Sequence, residues 1–377
     1  MTVSQSLADL LVGQLRFLNQ YFEVVGVTSE DGKIQLVRDR EGIRVEDIHM
    51  AREISLWSDL KSLWKLYRFF RKEKPEIVHA STPKGSLLSM IAAKAARVPH
   101  RIYFVTGLRY QGAEGKFRLL LKTMEKITCR AANKVIPEGQ GVKKALLEDH
   151  ITKKPLQIIH NGNINGKDVA YYSVEATEKE YGKKDAFRTS LGYSPDDFVF
   201  VFIGRIVSDK GMDELAVAMK ELIGKYPQLR LLLVGPFEPE LDPLSSETEE
   251  FFKNCHSVSL VGEQKDVRPY LMAADALVFP SYREGFPNVV LEAGCLGLPS
   301  IVTDINGCNE TIVEGENGVI IPPRNAERLT EAMDFFLSHP VEVAQMAEKS
   351  RPMIVSRYKQ EDVWAALLKM YQEECNV

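Results

Sequence analysis

Two glutamates eight residues apart, Glu284 and Glu292, bracket the bend Gly285-Phe286-Pro287 in the stretch REGFPNVVLEAGCLGLPSIVTD (283–304). An ionised carboxylate accepts forked hydrogen bonds and suits the vicinal hydroxyls of a ribose or a hexose ring. Gly285 permits an unusual backbone angle, and Pro287 suits the first turn of a helix. Asn288, Val289 and Val290 then offer backbone N–H groups near that helix start, and Glu292 lies about one turn inside. Taken singly, each glutamate is equally explained by a salt bridge or a helix cap.

A second stretch, FVFVFIGRIVSDKGMDEL (198–215), ends an apolar run at Gly204 and follows it with Arg205, Lys210-Gly211 and a helical pattern. Glycine lets a backbone approach a ligand closely. Arginine presents a planar fork and lysine a point charge, a pair suited to a diphosphate beside a helix N-terminus. The plainer alternative is two surface cations on a loop. A third stretch, the turn Gly262-Glu263-Gln264, exposes backbone groups suited to a base edge, or is an ordinary strand-to-helix turn. Neither a P-loop nor a G-x-G-x-x-G pattern is present.

Such residues need elements that deliver them to one place. In the N-terminal half, apolar strand-like runs fall at 22–29, 76–82, 101–107, 134–139 and 156–162, with helical patterns at 57–73, 85–97, 115–132 and 140–149. In the C-terminal half, runs at 197–204, 229–235, 257–262, 276–281, 300–304 and 318–323 alternate with helical patterns near 211–224, 266–273, 287–296, 325–338 and 359–373. Near-continuous apolar strands alternating with helices predict α/β architecture, parallel sheets covered on both faces. Two such sets predict two doubly wound, Rossmann-like domains. The expected boundaries are an N-terminal domain at 1–166, a linker at 167–196, a C-terminal domain at 197–355 and a closing helix at 356–377 that packs back on the first domain. Open α/β sheets bind ligands beyond the carboxyl ends of their strands, so a ligand is expected across a cleft between the two.

The chain has 377 residues, 45% hydrophobic and 27% charged, as in ordinary globular proteins. Its five cysteines are scattered without a C-x-x-C, which fits a reducing compartment and argues against a disulfide frame or zinc site. No apolar run approaches the roughly 18 residues of a membrane span, and MTVSQSLADLLVGQLRF lacks the basic start of a signal peptide. Residues 1–166 hold 27 Lys and Arg against 17 Asp and Glu, a net of +10; the remainder holds 21 against 35, a net of −14. A basic half attracts phosphates or anionic lipid. In WSDLKSLWKLYRFFRKEKP (57–75), Leu60, Leu63, Trp64, Tyr67 and Phe70 recur at helical spacing, with Lys61, Lys65, Arg68, Arg71 and Lys72 largely elsewhere around the helix. GKFRLLLKTMEKITCR (115–130) is similarly basic. The expectation is an apolar stripe turned inward and a basic face, with Trp64, on a membrane surface.

Gly204-Arg205, Lys210-Gly211, VFPS, EGFPNVVLEA and GLPSIVTDINGCNE, in this order, resemble the retaining nucleotide-sugar glycosyltransferases of family four, which have the GT-B fold. Glu284 and Glu292 match that family's glutamate pair. The resemblance implies that Arg205 and Lys210 hold the donor diphosphate, that Glu292 binds the ribose and that Glu284 contacts the donor sugar. Backbone N–H groups of Gly285 to Val290 would surround sugar and phosphate, and the turn at 262–264 would face the base. It implies a UDP-linked donor, no cofactor and no metal, and no Asp-x-Asp is present to hold one. No nucleic-acid partner is expected. IVHASTPKGSLLSMIAAKAARVPHRIYFVTGLRYQG (77–112) and HNGNINGKD (160–168) resemble the bacterial branch that builds capsule, O-antigen or glycan precursors on polyprenyl diphosphate. By that likeness Thr82, Lys84 and Arg109 are candidates for the acceptor diphosphate, and Lys84 is as readily a solvated cation. The implied location is cytoplasmic, at the inner face of the cytoplasmic membrane.

Two departures stand out. Many relatives carry a histidine where this chain has Thr106-Gly107; His79 and His160 follow other strands, and no general base is assigned. The family's first strand is here shortened or missing, since Met1-Thr2-Val3 leads into the helical pattern of Leu7, Leu10, Leu11, Gln14 and Leu15. Either the true start lies upstream or residues 1–5 supply a stub. The alternatives are a nucleotide-sugar epimerase and a non-catalytic sugar-nucleotide-binding subunit.

Overall fold

Residues 1–51, 54–240 and 242–375 are described by the computed structural model. The chain divides into two units, one formed by Met1–Gly166 with Gln360–Val377 and the other by Lys167–Lys359.

In the first unit, β1 (Val25–Thr28) and β2 (Arg44–Asp47) pair in parallel as a two-stranded sheet. β3 (Ile77–Ala80), β4 (His100–Val105) and β5 (Lys134–Pro137) form a separate parallel sheet in that order. The helices Leu56–Glu73, Pro83–Ala96, Gly115–Ala131 and Gln140–Glu148 follow the periodicity read from sequence. The single N-terminal sheet expected is therefore two sheets. Met1–Val3 contributes one parallel bridge, Val3 to Ser29, and the buried Met1 amine donates to the Val27 carbonyl at 3.1 Å. Burial lowers that amine to about 6. The strand expected at 156–162 is absent apart from a bridge between Leu156 and Val135. Positive φ at His160, Gly162 and Asn163 turns the chain out of the extended form. The helices Ser4–Leu10 and Gln14–Leu18 bury Leu7, Leu15 and Leu18 in a cluster that includes Leu367, Met370 and Tyr371 of the helix Gln360–Cys375. Trp364 stacks on Phe17 and donates its indole N–H to Asn165 at 2.7 Å.

The second unit carries one six-stranded parallel sheet. Its strands are β6 (Phe198–Ile203), β7 (Leu229–Val234), β8 (Val258–Gly262), β9 (Ala276–Phe279), β10 (Ser300–Thr303) and β11 (Gly318–Ile321), in the order β11-β10-β9-β6-β7-β8. β6, β7 and β9 lie inside the sheet with both faces covered, hence their continuous apolar runs. From β6 the chain winds outward through β7 and β8, then returns to β9 on the other flank of β6. The adjacent β6 and β9 thus mark a topological switch point, where the loops beyond the strands part and leave a crevice. Residues 167–196, read as a linker, carry the helices Val174–Tyr181 and Lys184–Ser190 and pack on this unit. The buried Arg188 donates to Asp275 at 2.9 and 3.0 Å and to the Ala273 carbonyl at 3.1 Å.

Candidate active site

The loops beyond β6 and β9 meet at the switch point. After β6, Gly204 leads to Arg205 and then to a single turn, Ser208–Lys210. Lys210 is only 13% exposed and forms an ion pair with Glu284, which follows β9. The Lys210 ammonium also lies 5.7 Å from the centre of the Phe279 ring, and Glu284 accepts from the Ser281 hydroxyl at 3.0 Å. Two glycines make this approach possible. Gly211 has φ +72°, and a Cβ there would meet the Pro280 carbonyl oxygen at 2.2 Å. Gly307 has φ +75°, and a Cβ there would meet the Phe286 Cα and Pro287 Cδ at 2.7 Å. The bend between the two glutamates is thus seated on a backbone that admits no side chain. The loops are also tied by Arg283 to Asp209 at 2.8 Å and by the Tyr282 N–H to the Asp209 carbonyl at 2.9 Å. Arg205 is more exposed and pairs with Glu238 beyond β7 at 3.3 Å.

Glu292 lies on the helix Asn288–Cys295, whose start has no side-chain cap. Its Oε1 accepts from the Lys167 ammonium at 2.6 Å and from the Tyr172 hydroxyl at 3.2 Å. Burial, with the nearby Glu292 charge, pushes the Tyr172 phenol well up. Sequence reading did not single out Lys167 or Tyr172. They lie 125 and 120 residues from Glu292, and the one available signal was Lys167 inside HNGNINGKD. Within the bend, the Phe286 side chain is buried with Leu291, Ile354 and Tyr358, and Val290 joins the main core. Only their backbone faces the role expected of them. Pro287 stands at the N-cap, one residue before the helix, and Gly285, Asn288 and Val289 are half-buried. Gly262, the last residue of the edge strand β8, and Glu263 just beyond it are exposed. Gln264 turns its amide back onto the Val261 carbonyl at 2.6 Å.

In the first unit, Lys84 and Arg109 line one pocket with Ile54, Leu87, Leu121 and Glu125. Lys84 is not a solvated cation: it is 7% exposed and pairs with Asp59 at 2.6 Å. Thr82 lies apart from that lining set, with its hydroxyl engaged by the backbone N–H and hydroxyl of Thr2 at 2.8 and 2.7 Å. Arg109 is exposed. Glu125 is buried and its carboxyl is pushed up to about 7 by desolvation, against a hydrogen bond from Tyr103. Thr106 donates to the Ser81 carbonyl at 3.1 Å. His79 is half-buried, with its ring nitrogen against the Tyr371 hydroxyl, and desolvation holds it down to about 4, a packed structural histidine. The apolar stripe on Leu56–Glu73 needs correction. Ser62, Leu66 and Phe70 face the core, whereas Leu60 and Trp64 are each 57% exposed. Lys61, Lys65, Arg68, Arg71 and Lys72 are exposed. Among the described residues, one group suited to a metal ion is Glu76, His100 and Cys375. It lies by the amino ends of β3 and β4, away from the loops beyond their carboxyl ends.

Residues 183–353 match the family described as "Glycosyl transferases group 1", and residues 11–138 match "Glycosyl transferase 4-like". The capsular polysaccharide biosynthesis glycosyltransferase CapM of Staphylococcus aureus is 32% identical over 371 residues, 98% of this chain and 95% of CapM. The chain belongs to the group 1 glycosyltransferases. This glycosyltransferase is also 28% identical over 321 residues to the Escherichia coli UDP-Gal:alpha-D-GlcNAc-diphosphoundecaprenol alpha-1,3-galactosyltransferase, covering 84% of this chain and 80% of that one. Anabaena Alr3699/HepE, solved in complex with UDP and glucose, superposes with a TM-score of 0.81 at 19% identity, over 97% of this chain and 95% of its own. The expected GT-B fold is the fold of this glycosyltransferase.

Proposed function

We propose that this glycosyltransferase moves a sugar from a UDP-linked donor, with retention, to a polyprenyl-diphosphate-linked saccharide. The observation that carries the reading is the Lys210–Glu284 pair at the switch point, with Glu292 on the very next helix. The bond from the sugar anomeric carbon to the β-phosphate oxygen breaks, and a bond to an acceptor hydroxyl forms on the same face. The acceptor proton passes to the departing phosphate, so no protein base is needed. Lys210, assisted by Arg205, stabilises the negative charge that builds on that phosphate, an electrostatic role worth about 10²- to 10³-fold in rate per group. Glu284, oriented by Lys210 and Ser281, meets the sugar hydroxyls; Glu292 meets the ribose. Charge neutralisation is assigned to these two cations and not to a metal ion, so EDTA leaves the rate unchanged.

The UDP donor and the lipid acceptor are supported by the name of the Escherichia coli relative and by the UDP complex of the Anabaena neighbour. On this chain the acceptor diphosphate is assigned to Lys84 and Arg109. No described helix is long and apolar enough to cross a membrane, and the basic helices of the first unit support a peripheral position on the inner face of the cytoplasmic membrane. The test supplies radiolabelled UDP sugars with an undecaprenyl-diphosphate-linked saccharide. Label entering the lipid, lost in Lys210→Ala, is expected. Conversion of the donor without acceptor, or no transfer from any UDP sugar, overturns the reading.

A further inference from the structure

The helix Leu56–Glu73 has three faces rather than two. At 100° per residue, Ser62, Leu66 and Phe70 share the buried arc, and Lys61, Lys65, Arg68 and Lys72 share an exposed basic arc. Between them, Leu56, Trp57, Leu60 and Trp64 fill an arc of about 100° that is exposed at 77, 84, 57 and 57%. The start of Gly115–Ala131 repeats this, with Phe117, Leu119 and Leu120 exposed among Lys116, Arg118 and Lys122. Both helices pack against Pro83–Ala96, and the pocket holding Lys84 and Arg109 is lined by Ile54 just before the first helix and by Leu121 of the second. The two apolar ends therefore adjoin one pocket. A soluble surface rarely leaves so many large apolar side chains together without a partner.

We propose that these two helix starts insert their apolar side chains into an anionic bilayer, as a wedge beside the Lys84–Arg109 pocket. The composition commits the occupant. Tryptophan, phenylalanine and leucine interleaved with lysine and arginine suit the boundary between acyl chains and anionic headgroups. A second copy does not, because a two-fold contact sets the same patch against itself and opposes the basic arcs. The wedge deepens the lipid-acceptor reading and adds to headgroup contact a component that salt does not screen. Vesicle binding needs neither donor nor acceptor, so its outcome is separate from that of the transfer assay.

The probe is vesicles of equal parts phosphatidylglycerol and phosphatidylcholine, with the full chain, at about 0.1 M and about 1 M salt, where the screening length falls from about 10 to about 3 Å. Two of the three tryptophans, Trp57 and Trp64, lie on the wedge. Trp364→Phe leaves only these as reporters. Expected are substantial binding that persists at high salt, quenching by lipids brominated on the acyl chain, and vesicle affinity at least about tenfold weaker in Trp57→Ala/Leu60→Ala, from the lost apolar burial. Complete release by high salt without quenching would leave headgroup contact alone and overturn insertion. Absence of binding, or a wild-type dimer in sedimentation that the double variant dissolves, would overturn it as well. Lys61→Ala/Lys65→Ala weakens binding at low salt only and keeps the quenching of the bound fraction.

Discussion

At the scale of single residues, the glutamate pair was legible and its partners were not. Glu284 and Glu292 announce themselves because a bend separates them in one short stretch. Lys167 reaches Glu292 through the fold, and no local pattern marks it. Both contacts to Glu292 fall on Oε1, from Lys167 at 2.6 Å and Tyr172 at 3.2 Å, which fixes the orientation of the carboxylate that the proposal gives to the ribose. The ribose is remote from the bond that breaks, so its binding is felt equally in the ground and transition states. Lys167→Met is therefore expected to raise the donor KM about tenfold, the scale of one charge-assisted hydrogen bond, with kcat changed little. Lys167→Arg, which keeps the cation, recovers part of the loss. A fall in kcat with KM unchanged would place Lys167 on the chemical step instead. Steady-state rates against donor concentration distinguish the two.

At the scale of elements, strands buried on both faces were legible and polar or interrupted elements were not. β6, β7 and β9 read as continuous apolar runs because neighbours cover them on both sides. β2 did not, since Arg44, Glu46 and Asp47 give it no apolar run. The helix Pro340–Tyr358 was hidden by Pro352 inside it, and Ser246–Asn254 by its charge. In Gly115–Ala131 the pattern showed a basic amphipathic helix but not which acid it would bury. Glu125 is that residue, with its carboxyl up to about 7 from an ordinary 4.5. Tyr103 donates to it, Cys129 is a charge-coupled neighbour, and Lys84 and Arg109 line the same pocket. Between those two pH values the folded chain keeps a proton that the unfolded chain gives up. The contribution is whole below 4.5, declines as pH rises through about 7, and is level above. It amounts to about 3 kcal/mol. Urea unfolding of wild type and Glu125→Gln at pH 5 and pH 8 isolates it. The wild type should lose about 2–3 kcal/mol relative to the glutamine variant on going from pH 5 to pH 8, and parallel pH profiles would show that Glu125 ionises normally.

At the scale of the whole molecule, the count of charges already separated a basic half from an acidic one. When the helix beyond Lys359 is grouped with the first unit, its Lys369 and its four acids Glu361, Asp362, Glu373 and Glu374 change the balance to +7 for that unit and −11 for Lys167–Lys359. A basic unit draws anionic lipid by its overall field. A unit of net −11 repels a nucleotide diphosphate by its overall field, so the proposed UDP donor would depend on local groups, the Arg205, Lys210 and fixed Glu292 carboxylate that the proposal assigns to it. Binding of that kind is specific to one unit and to one nucleotide. A ligand at about 100 times its dissociation constant adds about 2.7 kcal/mol to the state that binds it. For a unit of this size each kcal/mol moves the melting temperature about 2–4 °C, so saturating UDP should raise it by about 5–10 °C. GDP and ADP at the same concentration should do less. Glu292→Gln should lose most of the shift, because a neutral amide presents one acceptor and a donor where the ribose offers hydroxyls to a charged fork. Lys84→Met, in the other unit, should keep it in full. A larger shift with GDP would reassign the donor nucleotide, and a shift lost in Lys84→Met would move the nucleotide to the basic unit, where its overall field alone would have placed it.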